Sequence, residues 1–118
     1  MNRRFFGTEG EQTAREYLSQ KGIRILEMNY RRPTGEIDII GKHRGRILFI
    51  EVKRRSSLRY GRPSEAVNPH KQAQSLNTAA LYLQENDLTD APVRFDVIEI
   101  LPGEIRHIEN AFDATSFT

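Results

Sequence analysis

Two apolar runs that carry acidic residues, 35–40 and 47–53, constrain this chain most. They read Gly-Glu-Ile-Asp-Ile-Ile and Ile-Leu-Phe-Ile-Glu-Val-Lys, which is typical of neighbouring β-strands. Side chains alternate between the two faces of a strand, so Glu51 and Lys53 point the same way. Charges on a half-buried sheet cost free energy unless they are paired or bind a metal ion. The pattern therefore predicts a site.

Packing the apolar faces of the two runs together fixes how their charges are arranged. We expect Ile37 and Ile39 to lie on the apolar face, together with the alternate apolar residues of 47–53. Any antiparallel register that joins these faces puts Asp38 on the same side as Glu51. The two strands are thus predicted to bring two carboxylates and one ammonium group together.

The bounds set by the whole chain favour one globular domain, residues 1–118. Its 118 residues include 37% hydrophobic and 29% charged residues, enough for a core without disulfides. No apolar stretch is long enough to span a bilayer, and the first residues lack the apolar core of a signal peptide. The absence of cysteine excludes thiol catalysis and cysteine-bound zinc. We expect a cytoplasmic protein that does not contact membranes.

Charge is unevenly distributed along the chain. Residues 42–62 hold eight lysines and arginines against one acid, whereas residues 63–118 hold nine acids and three bases. This asymmetry favours a basic surface that binds a polyanion, although a solvated loop is the alternative. The candidate phosphate-binding residues are Arg54, Arg55, Arg59 and Arg62, with Lys71 a further candidate that could equally be a solvated lysine.

Periodicity and turn signals predict the order helix, three strands, helix, two strands. We expect the helices at about 8–19 and 69–84 and the strands at 23–30, 36–41, 46–54, 93–101 and 105–108. This is an α/β domain with a mixed central β-sheet and one helix on each face. Thr8 and Asn68 are the predicted helix caps, and 56–67 is a loop that could close over a ligand.

The expected cluster of Asp38, Glu51 and Lys53 suits one kind of chemistry. Neighbouring carboxylates repel, so they either share a proton or hold a cation. Their oxygens suit Mg²⁺ or Mn²⁺, which can polarise a phosphoryl oxygen and lower the pKa of a bound water. Lys53 could orient that water or stabilise the negative charge of the transition state. The cluster fits metal-assisted hydrolysis of a phosphodiester.

At these residues the chain resembles the PD-(D/E)xK, or restriction-endonuclease-like, nuclease superfamily. More closely it resembles the YraN family of small bacterial proteins, through Gly-Glu at 10–11, the run 35–38, the run 49–53, the run 94–98 and the closing run 108–112. The resemblance covers nearly the whole chain and implies the restriction-endonuclease-like fold. It also implies that Asp38 and Glu51 bind the metal and that Lys53 is the motif lysine.

Other acids have two interpretations each. The resemblance implies that Glu11 adds to the metal site, while its spacing from Thr8 equally suits a helix cap. Glu36 is either a surface acid, which we favour, or a group near Glu51 that supports it without binding the metal directly. Asp96, between apolar residues, is expected to be a structural hydrogen-bond acceptor.

Two functions follow as expectations. The first is a Mg²⁺-dependent nuclease acting on DNA, including branched or repair intermediates, with a homodimer as one arrangement for cutting two strands. The second is a nucleic-acid-binding module that keeps the fold without catalysis.

Overall fold

A computed structural model of the protein describes residues 9–55 and 69–112. The elements in chain order are α1 (Glu9–Gln20), β1 (Arg24–Arg32), β2 (Gly35–His43), β3 (Arg46–Arg54), α2 (Pro69–Glu85), β4 (Val93–Leu101) and β5 (Glu104–Phe112). The order αβββαββ is the one that the sequence predicts. The predicted caps Thr8 and Asn68 and the predicted loop 56–67 lie outside the described residues.

The five strands form one mixed sheet in the order β1-β2-β3-β4-β5. All neighbouring strands are antiparallel except β3 and β4, which are parallel, with Phe49 opposite Phe95 and Glu51 opposite Val97. A parallel pair needs a long crossover, and the chain between β3 and β4 contains α2. Neither helix in the described ranges has the length and apolarity needed to cross a bilayer.

Each face of the sheet packs against one helix, as predicted. On the α1 face the buried cluster is Ala14, Leu18, Ile23, Ile39, Leu48, Ile50 and Ile98. On the α2 face it is Tyr30, Ile37, Ile40, Ile47, Phe49, Ala79, Tyr82 and Phe95. Since alternate residues of β3 belong to opposite clusters, Glu51 and Lys53 follow Phe49 onto the α2 face.

The prediction that Ile37 shares a face with Ile39 is wrong. Ile39 packs under α1, whereas Ile37 packs under α2. The alternation breaks at Asp38 and at the facing position of β1, Asn29, whose φ of 54° is left-handed. Asparagine tolerates that conformation better than most residues. On the N-terminal side of Ile39, at residues 35–38, β2 is not paired with β3. This separation leaves space between the two strands at Asp38.

The β2–β3 hairpin is tighter than predicted. Its turn consists of Arg44 and Gly45 alone, at φ 52° and 80°, and His43 pairs directly with Arg46. Two positive φ angles are those of a type I′ turn, whose twist matches that of the strands. Pairing therefore continues to residue 43, where the sequence predicted a loop from residue 42.

Side chains of β1 and of the β1–β2 turn hold α2 over the sheet. Thr34 Oγ1 lies 2.8 Å from Thr78 Oγ1. At the C-terminal end of α2, the Tyr30 hydroxyl donates to Glu85, which also accepts from Arg32 at 3.0 Å. These contacts hold the α2 residues that face the carboxylate cluster.

Candidate active site

Asp38 lies where β2 leaves β3. Its Oδ2 accepts a hydrogen bond of 2.7 Å from the backbone N–H of Val52. A regular ladder would give that N–H a carbonyl partner on β2, so the side chain replaces the missing backbone bond. The local break in pairing thus holds the Asp38 carboxylate against β3.

Asp38 lies between two other carboxylates, those of Glu11 and Glu51. The pKa of Asp38 is raised to about 7, mainly by burial and further by the nearby Glu11 and Glu51, against the opposing effect of the Val52 N–H. Glu11, at the start of α1, is only 7% exposed and hydrogen-bonds Asp38. With the Asn29 amide oriented so that its nitrogen faces Glu11, this nitrogen lies 3.1 Å from each Glu11 carboxylate oxygen and donates to both. Glu11 therefore contacts the predicted site.

The two oxygens of Glu51 have different surroundings. Oε1 accepts from Lys53 Nζ at 3.1 Å and also from Lys71 Nζ. Oε2 is buried and has no hydrogen-bond partner among the described residues. Burial alone would lower the pKa of the Lys71 ammonium, but its bond to Glu51 holds the pKa above the ordinary value. One oxygen is thus fixed by cations while the other is left for a further ligand.

A cleft of about 290 Å³ contains these groups. Its lining includes Glu36, Asp38, Glu51, Lys53, Lys71 and Gln74, contributed by β2, β3 and α2. The structure therefore brings the three predicted motif residues to one cavity. Gln74 of α2 was not predicted, because its place in the cleft depends on how α2 packs.

The donor set fits a hard divalent cation. Within residues 9–55 and 69–112, no three histidine, aspartate or glutamate side chains converge closely enough to form a ready cation cage. Mg²⁺ does not need one, since it commonly takes one or two protein carboxylates and fills its other positions with water and phosphate. The unpartnered Glu51 Oε2 and the raised pKa of Asp38 are both features that a cation would relieve.

The other predicted residues lie around this cleft or outside the described ranges. Glu36 is on its rim and pairs with Arg31 at 3.0 Å. Arg54 is exposed and pairs with Glu9 at 3.4 Å, at the start of α1. The backbone N–H of Arg55 donates to Ile100 O at 2.9 Å. Arg59 and Arg62 lie outside the described residues.

Asp96 has the contacts of a structural acceptor, as expected. It is 1% exposed and accepts from Arg94 at 2.8 and 2.9 Å and from the Asn110 N–H at 3.0 Å. His107 Nε2 lies 2.6 Å from the same carboxylate. Burial would raise the pKa of Asp96, but these bonds together lower it below its ordinary value.

Two polar residues near the site, Asn29 and Glu99, were missed by sequence reasoning. Asn29 had a detectable signal, because asparagine is unfavourable inside a strand and tolerates left-handed φ. Glu99 had none. It is fully buried opposite Lys53 in the parallel β3–β4 pair, and its nearest ion pair in the described part of the chain is Arg106 at 4.0 Å.

Comparison with known proteins identifies the family of this chain. The profile of a family described as "Uncharacterised protein family UPF0102" matches residues 10–100, which include every described element of the site. The chain belongs to the UPF0102 family. UPF0102 is the family that the sequence resemblance named as YraN.

Relatives in the UPF0102 family match over almost their full lengths. A UPF0102 protein of Thermodesulfovibrio yellowstonii is 53% identical over 106 residues, covering 90% of this chain and 94% of the relative. One from Clostridioides difficile is 46% identical over 114 residues, covering 95% and 100%. One from Lachnoclostridium phytofermentans is 46% identical over 115 residues, covering 97% and 98%.

Proposed function

We propose that this UPF0102 protein is a metal-dependent nuclease that hydrolyses phosphodiester bonds in DNA. The observation that carries the proposal is the cleft in which Asp38, Glu51 and Lys53 meet, with the buried Glu51 Oε2 lacking a partner in the described structure. Buried acids with perturbed protonation in a cleft are typical of catalytic sites. Neighbouring basic residues suit an anionic substrate.

Asp38 and Glu51 would hold Mg²⁺ or Mn²⁺, and Glu11 would support the ion through its contact with Asp38. The bound ion would supply Lewis-acid polarisation of a phosphoryl oxygen and a more acidic water. The Val52 N–H keeps Asp38 oriented toward β3. With α1, β2 and β3 each fixing one carboxylate, little reorganisation is needed when the ion binds.

Lys53 and Lys71 would act on the phosphate. Both ammonium groups already lie at Glu51 Oε1, so both are within the same cavity as the carboxylates. A water oxygen forms the new bond to phosphorus and the bond to the leaving oxygen breaks, with the water's proton ending on that oxygen. Lys53 would orient the water or stabilise the charge that develops on phosphorus oxygens. One product ends in a phosphate and the other in a hydroxyl.

The test is a cleavage assay with Mg²⁺ and Mn²⁺ over single-stranded, duplex, flapped and four-way-junction DNA. Glu51→Gln and Asp38→Asn are expected to reduce cleavage at least 100-fold, because each removes a ligand charge. Glu104→Gln is the matched control, since Glu104 is an exposed acid on the β4–β5 turn and pairs with Arg106 at 3.4 Å. Equal cleavage by the site variants and the control would contradict the proposal.

A second candidate is a nucleic-acid-binding module without catalysis. It is favoured by the ion pairs of Glu51 with two lysines, which partly neutralise that carboxylate without a metal. This candidate predicts salt-dependent DNA binding that Arg54→Ala with Arg55→Ala weakens, and no cleavage with any divalent ion. Metal-dependent cleavage that Glu51→Gln abolishes would exclude it.

A further inference from the structure

The described part of the basic segment, residues 42–55, divides between the two ends of β3. Arg46 begins β3 and Arg54 ends it, so about 25 Å of extended strand separates them. The carboxylate cleft lies near the end of β3 with Lys53. Lys42, Arg44 and Arg46 therefore cannot bind a phosphate at the scissile bond, and their role needs a separate account.

A second cleft, of about 400 Å³, lies at the beginning of β3. Its polar lining consists of Lys21, His43, Arg44, Arg46, Arg94 and Glu109. Ile23 and Leu48 also line it, and both belong to the cluster under α1. The carboxylate cleft is lined by Lys71 and Gln74 of α2 and lies mainly on the α2 face, although Glu11 of α1 reaches its Asp38. The two clefts therefore lie largely on opposite faces and at opposite ends of β3. We refer to this second cavity as the basic cleft.

The cations of the basic cleft differ in how firmly they are held. Arg94 is fixed by two hydrogen bonds to the buried Asp96 and lies 3.7 Å from Glu109. Lys21 donates to the Tyr17 hydroxyl at 3.0 Å and lies over its ring. Arg44 and Arg46 are exposed and form no ion pair with any described residue. Their charge is therefore available to an external anion.

Arg44 also occupies an unfavourable backbone position. It has φ 52° in the type I′ turn, where asparagine, aspartate or glycine is preferred. A left-handed conformation is unfavourable for a residue with a Cβ atom. Strained backbone positions often occur at functional sites, so Arg44 is a candidate for function. The turn presents a guanidinium group at the mouth of the cleft at the expense of stability.

We propose that the basic cleft binds backbone phosphates of the nucleic acid, at a segment distinct from the one that is cut. The inference rests on nucleic acid being the substrate proposed above. Arg44 and Arg46 contact phosphate oxygens directly, while Arg94 is held by Asp96 so that its remaining N–H groups are presented to the cleft. Since the clefts lie largely on opposite faces, one substrate reaches both only if it bends around the sheet or has a second arm.

The experiment measures binding of a fluorescent four-way-junction DNA by anisotropy, as a function of salt and in EDTA so that no cleavage occurs. Arg44→Gln with Arg46→Gln is expected to weaken binding about tenfold or more at 0.1 M salt. The slope of log affinity against log salt is expected to fall by about two, one for each lost contact. The matched control is Arg24→Gln with Lys42→Gln, two exposed cations at the same end of the sheet that do not line the cleft.

Arg44→Asn separates binding from folding. Asparagine suits the left-handed turn, so this variant is expected to be at least as stable as wild type and yet to bind the junction more weakly. Equal weakening by the cleft variant and the control pair would overturn the proposal. So would a cleft variant that loses only the affinity for inorganic phosphate, measured by NMR titration, and binds DNA normally. Because no cleavage is measured, a failure of the nuclease proposal would be seen separately, in the Mg²⁺ assay.

Discussion

Asp38 combines a favourable hydrogen bond with unfavourable surroundings. The Val52 N–H stabilises its carboxylate, while burial and the carboxylates of Glu11 and Glu51 destabilise it. The net effect is the pKa of about 7, well above that of an ordinary aspartate. The folded state is therefore destabilised by ionisation of this group, as expected where stability is given up for function.

Neutralising Asp38 should stabilise the protein. We expect Asp38→Asn to raise the free energy of unfolding by roughly 1 kcal/mol at pH 8, because the amide keeps an acceptor for Val52 without the charge. The gain should shrink at pH 5, where the folded-state carboxyl is already protonated. Urea denaturation at both pH values measures it. Asp90→Asn, at an exposed aspartate, is the control, and an equal effect in both variants would contradict the explanation.

Asp96 should make the opposite contribution. Its folded-state pKa is lowered, so its stabilisation is complete above the unfolded-state pKa of about 3.9 and is lost as pH falls through the folded-state value. We expect Asp96→Asn to cost about 2–3 kcal/mol at pH 7, since charged hydrogen bonds to Arg94 are lost. The difference from wild type should begin to shrink as pH falls below the unfolded-state pKa and should be lost only below the folded-state pKa. A constant difference across urea titrations from pH 7 to pH 2.5 would argue against this.

At the residue scale, alternation along a strand predicted part of the site. Glu51 and Lys53 share a face because nothing interrupts β3 between them. Ile37 could not be placed in the same way, because the break at Asn29 reverses the faces of β2 on one side of Asp38. Periodicity extends a regular pattern and carries no information on where the pattern is interrupted. An asparagine in a strand is the one local sign of the interruption.

At the scale of elements, the approach of α2 to β2 controls the width of the carboxylate cleft. Gly35 has φ 150°, and a Cβ atom there would lie 3.2 Å from Thr78 Oγ1 and 3.4 Å from Gln74 Cβ. Gln74 and Lys71 belong to the same helix and line the cleft. A side chain at Gly35 would require Thr78 and Gln74 of α2 to shift by a few tenths of an ångström, and we expect this shift to move the Lys71 ammonium relative to Glu51.

Gly35→Ala is therefore expected to reduce cleavage about tenfold or more and to cost about 1–2 kcal/mol of stability. The loss should appear in kcat, because Lys71 and Gln74 are displaced from the cleft. Gly103→Ala is the matched control, since Gly103 also has positive φ, 71°, but a Cβ there meets nothing within 4 Å. Assay of both variants by steady-state cleavage and thermal unfolding separates displacement of the helix from backbone strain. Equal losses of activity would contradict the role of the contact.

Element order was predictable because periodicity and turn residues differ clearly along this chain. The ends of the helices and strands were less predictable. The hairpin turn is Arg44 and Gly45 alone instead of the predicted 42–45, because Arg44 adopts a left-handed conformation that arginine rarely takes. Strand β5 extends to Phe112, which packs on Phe95 at 4.9 Å between ring centroids, a tertiary contact that no local signal reports. Packing, and not propensity, sets these boundaries.

At the scale of the whole molecule, cation binding and folding are linked. Ions that bind only the folded state stabilise it in proportion to the logarithm of their concentration. With Mg²⁺ at ten times its dissociation constant we expect the Tm to rise by about 5 °C, and removal by EDTA to reverse the rise. Glu51→Gln should lose the effect, while Glu104→Gln should retain it. A shift of the same size in both variants, measured by differential scanning fluorimetry, would contradict a site at Glu51.

The charge asymmetry of the sequence predicted a basic surface but not its division. Arg46 and Arg54 are close in the sequence but lie far apart in space, because a strand is the most extended form that a chain adopts. Conversely, Lys71 reaches Glu51 from a different element, which sequence distance did not suggest. The residues of the motif were predictable from local pattern, whereas their partners depend on how helices pack on the sheet.

Among the described strands, only β3 and β4 pair in parallel. This pair separates β1–β3 from β4–β5, and each of these two parts forms from contacts between strands that follow one another in the chain. Antiparallel neighbours close short loops, whereas the parallel pair must close the long stretch containing α2, which costs more entropy and is slower. During synthesis, the meander that carries Asp38, Glu51 and Lys53 can therefore assemble early. Lys71 and the cover provided by α2 arrive later, so the carboxylates stay accessible to solvent ions until the final docking step.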